Sequence, residues 1–203
     1  MASNDITQAI HSYVTDMLSL EKHISKALQA QIEDLEDYPS VVRELRTINA
    51  TTESHVRTLE NLAEEFGGEG ASGTIKKFGS TLAGLAAGAI DLVRNESLPK
   101  NLRDDYTAIN LATIGYVMLH TTALSLGNRV VADLAQRHLV DYTEVVMTLH
   151  NIIPSAVIEF LQEDGLPARE DVLPQIAQTL ENAWRQQAKQ VPNADEISVT
   201  NRQ

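Results

Sequence analysis

Between Ile6 and Leu28 the apolar positions recur at steps of three and four residues: Ile6, Ile10, Val14, Met17, Ile24 and Leu28. That spacing lines one face of a helix. Glu21 stands on the same stripe, where the pattern asks for an apolar side chain. A carboxylate carried into a core must be paired, hydrogen-bonded or metal-bound, because burying a bare charge is very costly. The folds open to this chain are those that bring a partner to Glu21.

The rest of the chain is also helical in character. Ala, Leu, Glu and Gln dominate long windows and the alternation that marks strands is scarce, so the expected class is all-α. Its 203 residues suffice for one sizeable domain over residues 1–190, with a polar tail from 191 to 203. The net charge of −12, from 28 acidic and 16 basic residues, argues against nucleic acid or an anionic membrane as partner. With no cysteine, disulfides, thiolate metal sites and cysteine nucleophiles are excluded. The N-terminus lacks the basic and apolar regions of a signal peptide. The most apolar run, Thr81 to Val93, is too short to span a bilayer. The expected location is cytoplasmic.

Taken in order, the first helix starts at an Asn4 or Asp5 cap and runs to about Asp37. Tyr38-Pro39-Ser40 forces a tight turn into a second helix with Leu45, Ile48, Thr52, His55, Leu59, Leu62 and Phe66 on one face. Gly67-Gly68-Glu69-Gly70 opens a long connection. It has neither the Lys-Ser/Thr ending nor the preceding strand of a phosphate loop. Thr74 to Arg94 reads as a short helix rich in small residues. Its Gly84 and Gly88, four apart, suggest a dimer face or close packing within the chain. A third helix, about Asn101 to Leu126, presents Leu102, Tyr106, Ile109, Thr113, Tyr116, His120 and Ala123; Gly127-Asn128 stops it. The fourth, from Val130 to about Asn151, presents Val131, Leu134, His138, Asp141, Val145 and Ile152, and Pro154 kinks it or starts a new piece. A fifth amphipathic helix covers about Asp171 to Lys189.

Two tight hairpins joined by one long connection make a ferritin-like four-helix bundle, with a crossover containing a short helix and an added C-terminal helix. Helix three then runs parallel to helix two. Depth follows from counting: Glu21 lies 16 residues before Asp37, His55 lies 15 after Ser40, and Tyr116 lies 15 after Asn101. Reflection about Gly127 carries Tyr116 to His138, and allowance for the turn carries it to Asp141. The expected polar layer is Glu21, Thr52, His55, Tyr116, His138 and Asp141, with His120 about one turn away. Carboxylate and imidazole on facing helices suit a divalent transition metal, and they suit an internally hydrogen-bonded core equally. The candidate metal ligands are Glu21, His55, His138 and Asp141.

The stretches Ser19-Leu20-Glu21-Lys22-His23-Ile24-Ser25-Lys26-Ala27-Leu28 and Thr51-Thr52-Glu53-Ser54-His55-Val56-Arg57-Thr58-Leu59-Glu60 resemble the first two helices of the bacterial YciE/YciF family of ferritin-like stress proteins. The order that follows is similar too: a Gly-rich linker, a short helix, Leu102-Arg103-Asp104-Asp105, then two long helices. The resemblance covers roughly residues 5 to 160. It implies a bundle with a di-metal centre of iron or another divalent transition metal, with Glu21 and His55 at ligand positions.

This chain departs from that pattern. A ferritin-type site takes a carboxylate from each helix and a Glu-x-x-His pair from two of them. Here Thr52 stands three residues before His55, and helix three has no acidic residue between Tyr106 and Ala132. Helix four offers Asp141 and Glu144 without a Glu-x-x-His pair. Too few carboxylates remain for two ions. Three readings follow: a non-catalytic, stress-related bundle that has lost or reduced its di-metal centre; a protein with one transition-metal ion and redox or peroxide chemistry; or a module for an apolar small molecule, in a cavity lined by Met17, Met118 and Tyr116. A homodimer is the expected assembly.

Overall fold

The structure is a computed structural model that describes residues 2–35, 37–67 and 97–188. These described residues form five α-helices: α1 (Ala2–Asp34), α2 (Pro39–Gly67), α3 (Leu98–Ser125), α4 (Arg129–Glu163) and α5 (Leu173–Ala188). A single 3-10 turn, Glu170–Val172, precedes α5, and no strand occurs among the described residues. The short helix expected over Thr74–Arg94, with its Gly84 and Gly88, lies outside the described residues, as does the tail 191–203.

Local chemistry sets the helix ends. Pro39 is the first residue of α2, where its fixed φ suits a helix and its missing N–H is not needed. Between α3 and α4 Gly127 takes φ +77°. Its N–H reaches Leu124 O at 3.1 Å, and Asn128 N–H reaches Ala123 O at 2.8 Å. This Schellman arrangement satisfies the last carbonyls of α3. Asn128 then caps α4, its Oδ1 accepting from Val131 N at 3.1 Å. The α4 end repeats the device, with Gly165 at φ +75° and Leu166 N–H bonded to Leu161 O.

The pairing partners give the topology. Ser25 bonds Asn49 while Glu21, earlier on α1, meets His55, later on α2, so α1 and α2 are antiparallel neighbours. Gln31 bonds Asp105 near the start of α3 while Glu21 bonds Tyr116 further along it, so α3 is antiparallel to α1 and parallel to α2, as expected. His120 Nδ1 donates to Ala132 O at 2.8 Å and clasps α3 to α4. The closest packing is within the two hairpins, and of the neighbouring pairs inside the four-helix bundle α2 and α4 touch least. Trp184 on α5 donates its indole N–H to His150 Nε2 on α4 at 3.0 Å.

Four expectations need correction. The first helix ends at Asp34, not about Asp37. Ile6 is 37% exposed, and the buried stripe of α1 begins at Ile10. The fourth helix continues unbroken through Pro154 to Glu163. Buried Leu149 and Ala156 on either side hold it against the bundle while the one backbone bond is forfeited. The inner face of α4 is Val131, Ala135, His138, Tyr142, Val145 and Leu149. Tyr142, not Asp141, points inward.

One buried polar pair ties the C-terminal turns of α1 to the first turns of α3. Gln31 Nε2 donates to Asp105 Oδ1 at 2.8 Å. The other oxygens of the same two groups, Gln31 Oε1 and Asp105 Oδ2, are buried and find no donor among the described residues. A proton on Asp105 Oδ2 would offer a donor, and with Gln31 Oε1 as its acceptor the pair would close into a ring of two hydrogen bonds. Burial raises the Asp105 pKa to about 7, the Gln31 bond opposes that rise, and neighbouring Asp104 adds to it.

Candidate functional site: a buried tyrosine–histidine–carboxylate network

Each helix of the bundle sends a side chain to one level. From α1 comes Glu21, fully buried; from α2, Thr52 and His55; from α3, Tyr116; from α4, His138 and Tyr142. These positions fall on the inward stripe of each helix, so the packing that buries their apolar neighbours also aims them at one another.

Both carboxylate oxygens of Glu21 are taken. Tyr116 Oη donates to Oε1 at 2.5 Å and Tyr142 Oη donates to Oε2. His55 Nδ1 lies 3.3 Å from Oε1, and its Nε2 lies 3.1 Å from Asp141 Oδ2. With both ring nitrogens facing carboxylate oxygens, only a doubly protonated His55 makes both bonds at once. The ring bridges Glu21 inside to Asp141 outside. Burial, and then the Glu21 charge, raise the pKa of both tyrosines well above the ordinary phenol value, so both stay protonated donors.

The proton count continues to His138. Tyr116 gives its one hydroxyl proton to Glu21, so its oxygen accepts from His138 Nδ1 at 2.9 Å. Burial first, then His55 and Arg137, hold the His138 pKa down at about 3, and the ring is neutral. It stacks on His55 with centroids 3.8 Å apart. Thr52 Oγ1 lies 3.3 Å from Tyr142 Oη and also bonds its own helix at Ile48 O.

A cleft of about 480 Å³ between α2 and α4 reaches this network from solvent. Its walls include Glu44, Thr47, Thr51, Ser54, His55, Asp141 and Glu144. Asp141, expected inside, is half exposed at the mouth of this cleft, yet it meets His55. His120, a turn away, serves the α3–α4 clasp and not the network. The cavity expected from Met17, Met118 and Tyr116 does not form, because Met118 is 46% exposed on the outside of α3. Met17 is packed against Gly115 so closely that a Cβ there would stand 2.4 Å from its Sδ.

Glu21, His55, His138 and Asp141 are therefore connected, but by hydrogen bonds along a chain and not around a common point. Among the described residues no group of three or more His, Asp or Glu side chains is placed to hold a metal ion. The donor set does not fit a di-metal centre: at the level of Glu21 the third and fourth helices supply phenols, and these spend their protons on the one buried carboxylate. Sequence reasoning missed Tyr142. The available signal was the run 131, 135, 138, 142, 145, 149, which keeps helical steps as well as the run through Asp141 does.

Compared with known proteins, residues 6–162 match the model of a family described as Domain of unknown function (DUF892). No curated protein and no solved structure matches.

Proposed function

The chain belongs to this family, one of ferritin-like type, and on that premise we propose that it is a non-catalytic bundle whose di-metal centre has given way to a hydrogen-bonded core. The observation that carries this reading is the occupation of both Glu21 oxygens by tyrosines from α3 and α4. A network of this kind stabilises a unique packing of four helices and occupies both Glu21 oxygens from within the chain. Its work is then structural or interactive, in the stress-related setting that the resemblance to YciE/YciF proteins suggests. A cytoplasmic protein without nucleic-acid or membrane partners is part of the same proposal, supported by the charge of −12. By length and composition α4 alone among the described helices is apolar enough to cross a membrane, but its His138 and Tyr142 are bonded into the bundle.

Elemental analysis of protein purified without chelator, with melting measured before and after chelator, tests the reading. The expected result is far less than one iron, manganese or zinc ion for each chain and an unchanged melting temperature. A pair of ions in every chain with ferroxidase turnover overturns it. One bound ion, lost in a His138→Ala variant, would favour the single-metal reading with Glu21, His55, His138 and Asp141 as ligands.

A further inference from the structure

The four helices do not close the bundle evenly. α2 and α4 have the least contact of its neighbouring pairs, and the cleft of about 480 Å³ lies between them. Its lining on α2 runs from Glu44 to His55, about 16 Å of helix. Such a volume is that of a small-molecule site. Spread over that length it leaves a cross-section of about 30 Å², room for an unbranched chain lying along the helices. α4 runs antiparallel to α2, so Asp141 stands at the His55 end, Glu144 one turn further in and Thr148 towards Glu44. Ile48 and Val145, both buried, supply apolar lining between them.

The polar groups of the cleft are acceptors short of donors. Thr47 Oγ1 donates to Arg43 O, Thr51 Oγ1 to Thr47 O and Thr148 Oγ1 to Glu144 O. Each hydroxyl has spent its proton on its own helix and presents only lone pairs. Of the lining hydroxyls only that of exposed Ser54 has its proton uncommitted among the described residues. Asp141 Oδ2 is taken by His55, which leaves Oδ1. Glu44 accepts twice through Oε1 from the exposed Arg43 side chain, which leaves Oε2. No Lys or Arg lines the cleft. A fitting occupant therefore brings hydrogen-bond donors and positive charge of its own. Glu44, Glu144 and Asp141 are strung along the cleft. Among the described residues no three His, Asp or Glu side chains gather to hold a metal ion. The charge of the occupant is likewise spread along its length.

We propose that the α2–α4 cleft binds a linear aliphatic polyamine. Its terminal ammonium groups meet Glu44 at one end and Asp141 with Glu144 at the other, and its methylenes lie along Ile48 and Val145. The threonine oxygens accept from the remaining N–H groups. Such amines have lysine-like pKa values and are charged at neutral pH. Glu44 and Glu144 take no part in the Glu21 network, so the proposal does not rest on the core being free of metal.

The test is calorimetric titration of the full chain with spermidine at about 0.15 M salt, which screens diffuse attraction to an acidic surface. One saturable site for each chain is expected, with spermidine bound at least about tenfold more tightly than butylamine. Glu44→Gln with Glu144→Gln should weaken binding about tenfold or more. Glu64→Gln with Asp133→Asn removes the same charge from exposed positions of α2 and α4 outside the cleft and should change it little. Thr51→Trp, which fills the middle of the cleft from a half-buried position, should abolish binding; helical circular dichroism checks that each variant folds. Absence of a saturable site overturns the proposal. So do equal losses in the two charge-removing pairs, binding undiminished by Thr51→Trp, or displacement of spermidine by magnesium at equal charge concentration.

Discussion

Replacing Asp105 by Asn should make this protein more stable at alkaline pH and remove part of its pH dependence. In the wild type, burial raises the Asp105 pKa from 3.8 to about 7. The folded state therefore holds a proton between those values that the unfolded chain releases, and stability falls as pH rises through that window. At about 1.4 kcal/mol for each pKa unit, a shift of roughly three units amounts to about 4 kcal/mol of stability, present in full below pH 3.8 and gone above about 7. The side chain is only 6% exposed, so solvent screens little of it. Asn fixes the same pattern permanently: its oxygen accepts from Gln31 Nε2 and its N–H donates to Gln31 Oε1. Urea unfolding at about pH 5 and about pH 8 measures the effect. Between those conditions the wild type should lose about 3 kcal/mol more than Asp105→Asn, and near pH 8 the variant should be the more stable by up to about 4 kcal/mol. Differencing the two proteins cancels the contribution of the histidines. Equal slopes, or a variant less stable at pH 8, would refute the ring of two hydrogen bonds.

The Glu21 network should behave as a unit. Tyr142→Phe leaves Glu21 Oε2 without its donor and should lower stability by about 1–3 kcal/mol; removing Glu21 or His55 singly should cost about 3–5 kcal/mol, and Glu21→Gln with His55→Leu together much less than the sum. Additive losses in a thermal or urea double-mutant cycle would show that the pair is not coupled. At the α3–α4 turn, Asn128→Ala should lose about 1 kcal/mol with the cap on Val131, seen in the same unfolding assay; no change would deny the cap its role.

Counting along helices places most of this network, because the rise of a helix is constant. Once Tyr38-Pro39 and Gly127-Asn128 were recognised as turns, Glu21, His55, Tyr116 and His138 had to share a level. Rotation about a helix axis is harder to read than depth. On α4 the inward runs through Asp141 and through Tyr142 share Val131, His138 and Val145, and only packing against α1 chose between them. Asp105 was overlooked for a different reason: an Asp104-Asp105 doublet reads as a solvated surface, and nothing local announces that Gln31, 74 residues earlier, takes the second one inside. The continuity of α4 through Pro154 likewise depends on distant neighbours that hold the helix on both sides.

The placement of Glu21 bears on how the chain finds its register. Each hairpin closes through a turn of a few residues, so the entropy lost in forming it is small and it can assemble before the two meet. Docking the hairpins is the long-range step, and there the carboxylate of α1 gives up water in exchange for two phenols delivered together by α3 and α4. Leucines and valines tolerate a slip of one helical turn, about 5.4 Å, with little complaint. A buried carboxylate does not, since the same slip leaves it facing aliphatic side chains with no donor, a penalty of several kcal/mol. The single charge on an otherwise apolar stripe thus acts as a check on alignment, discarding misdocked bundles that hydrophobic burial alone would accept.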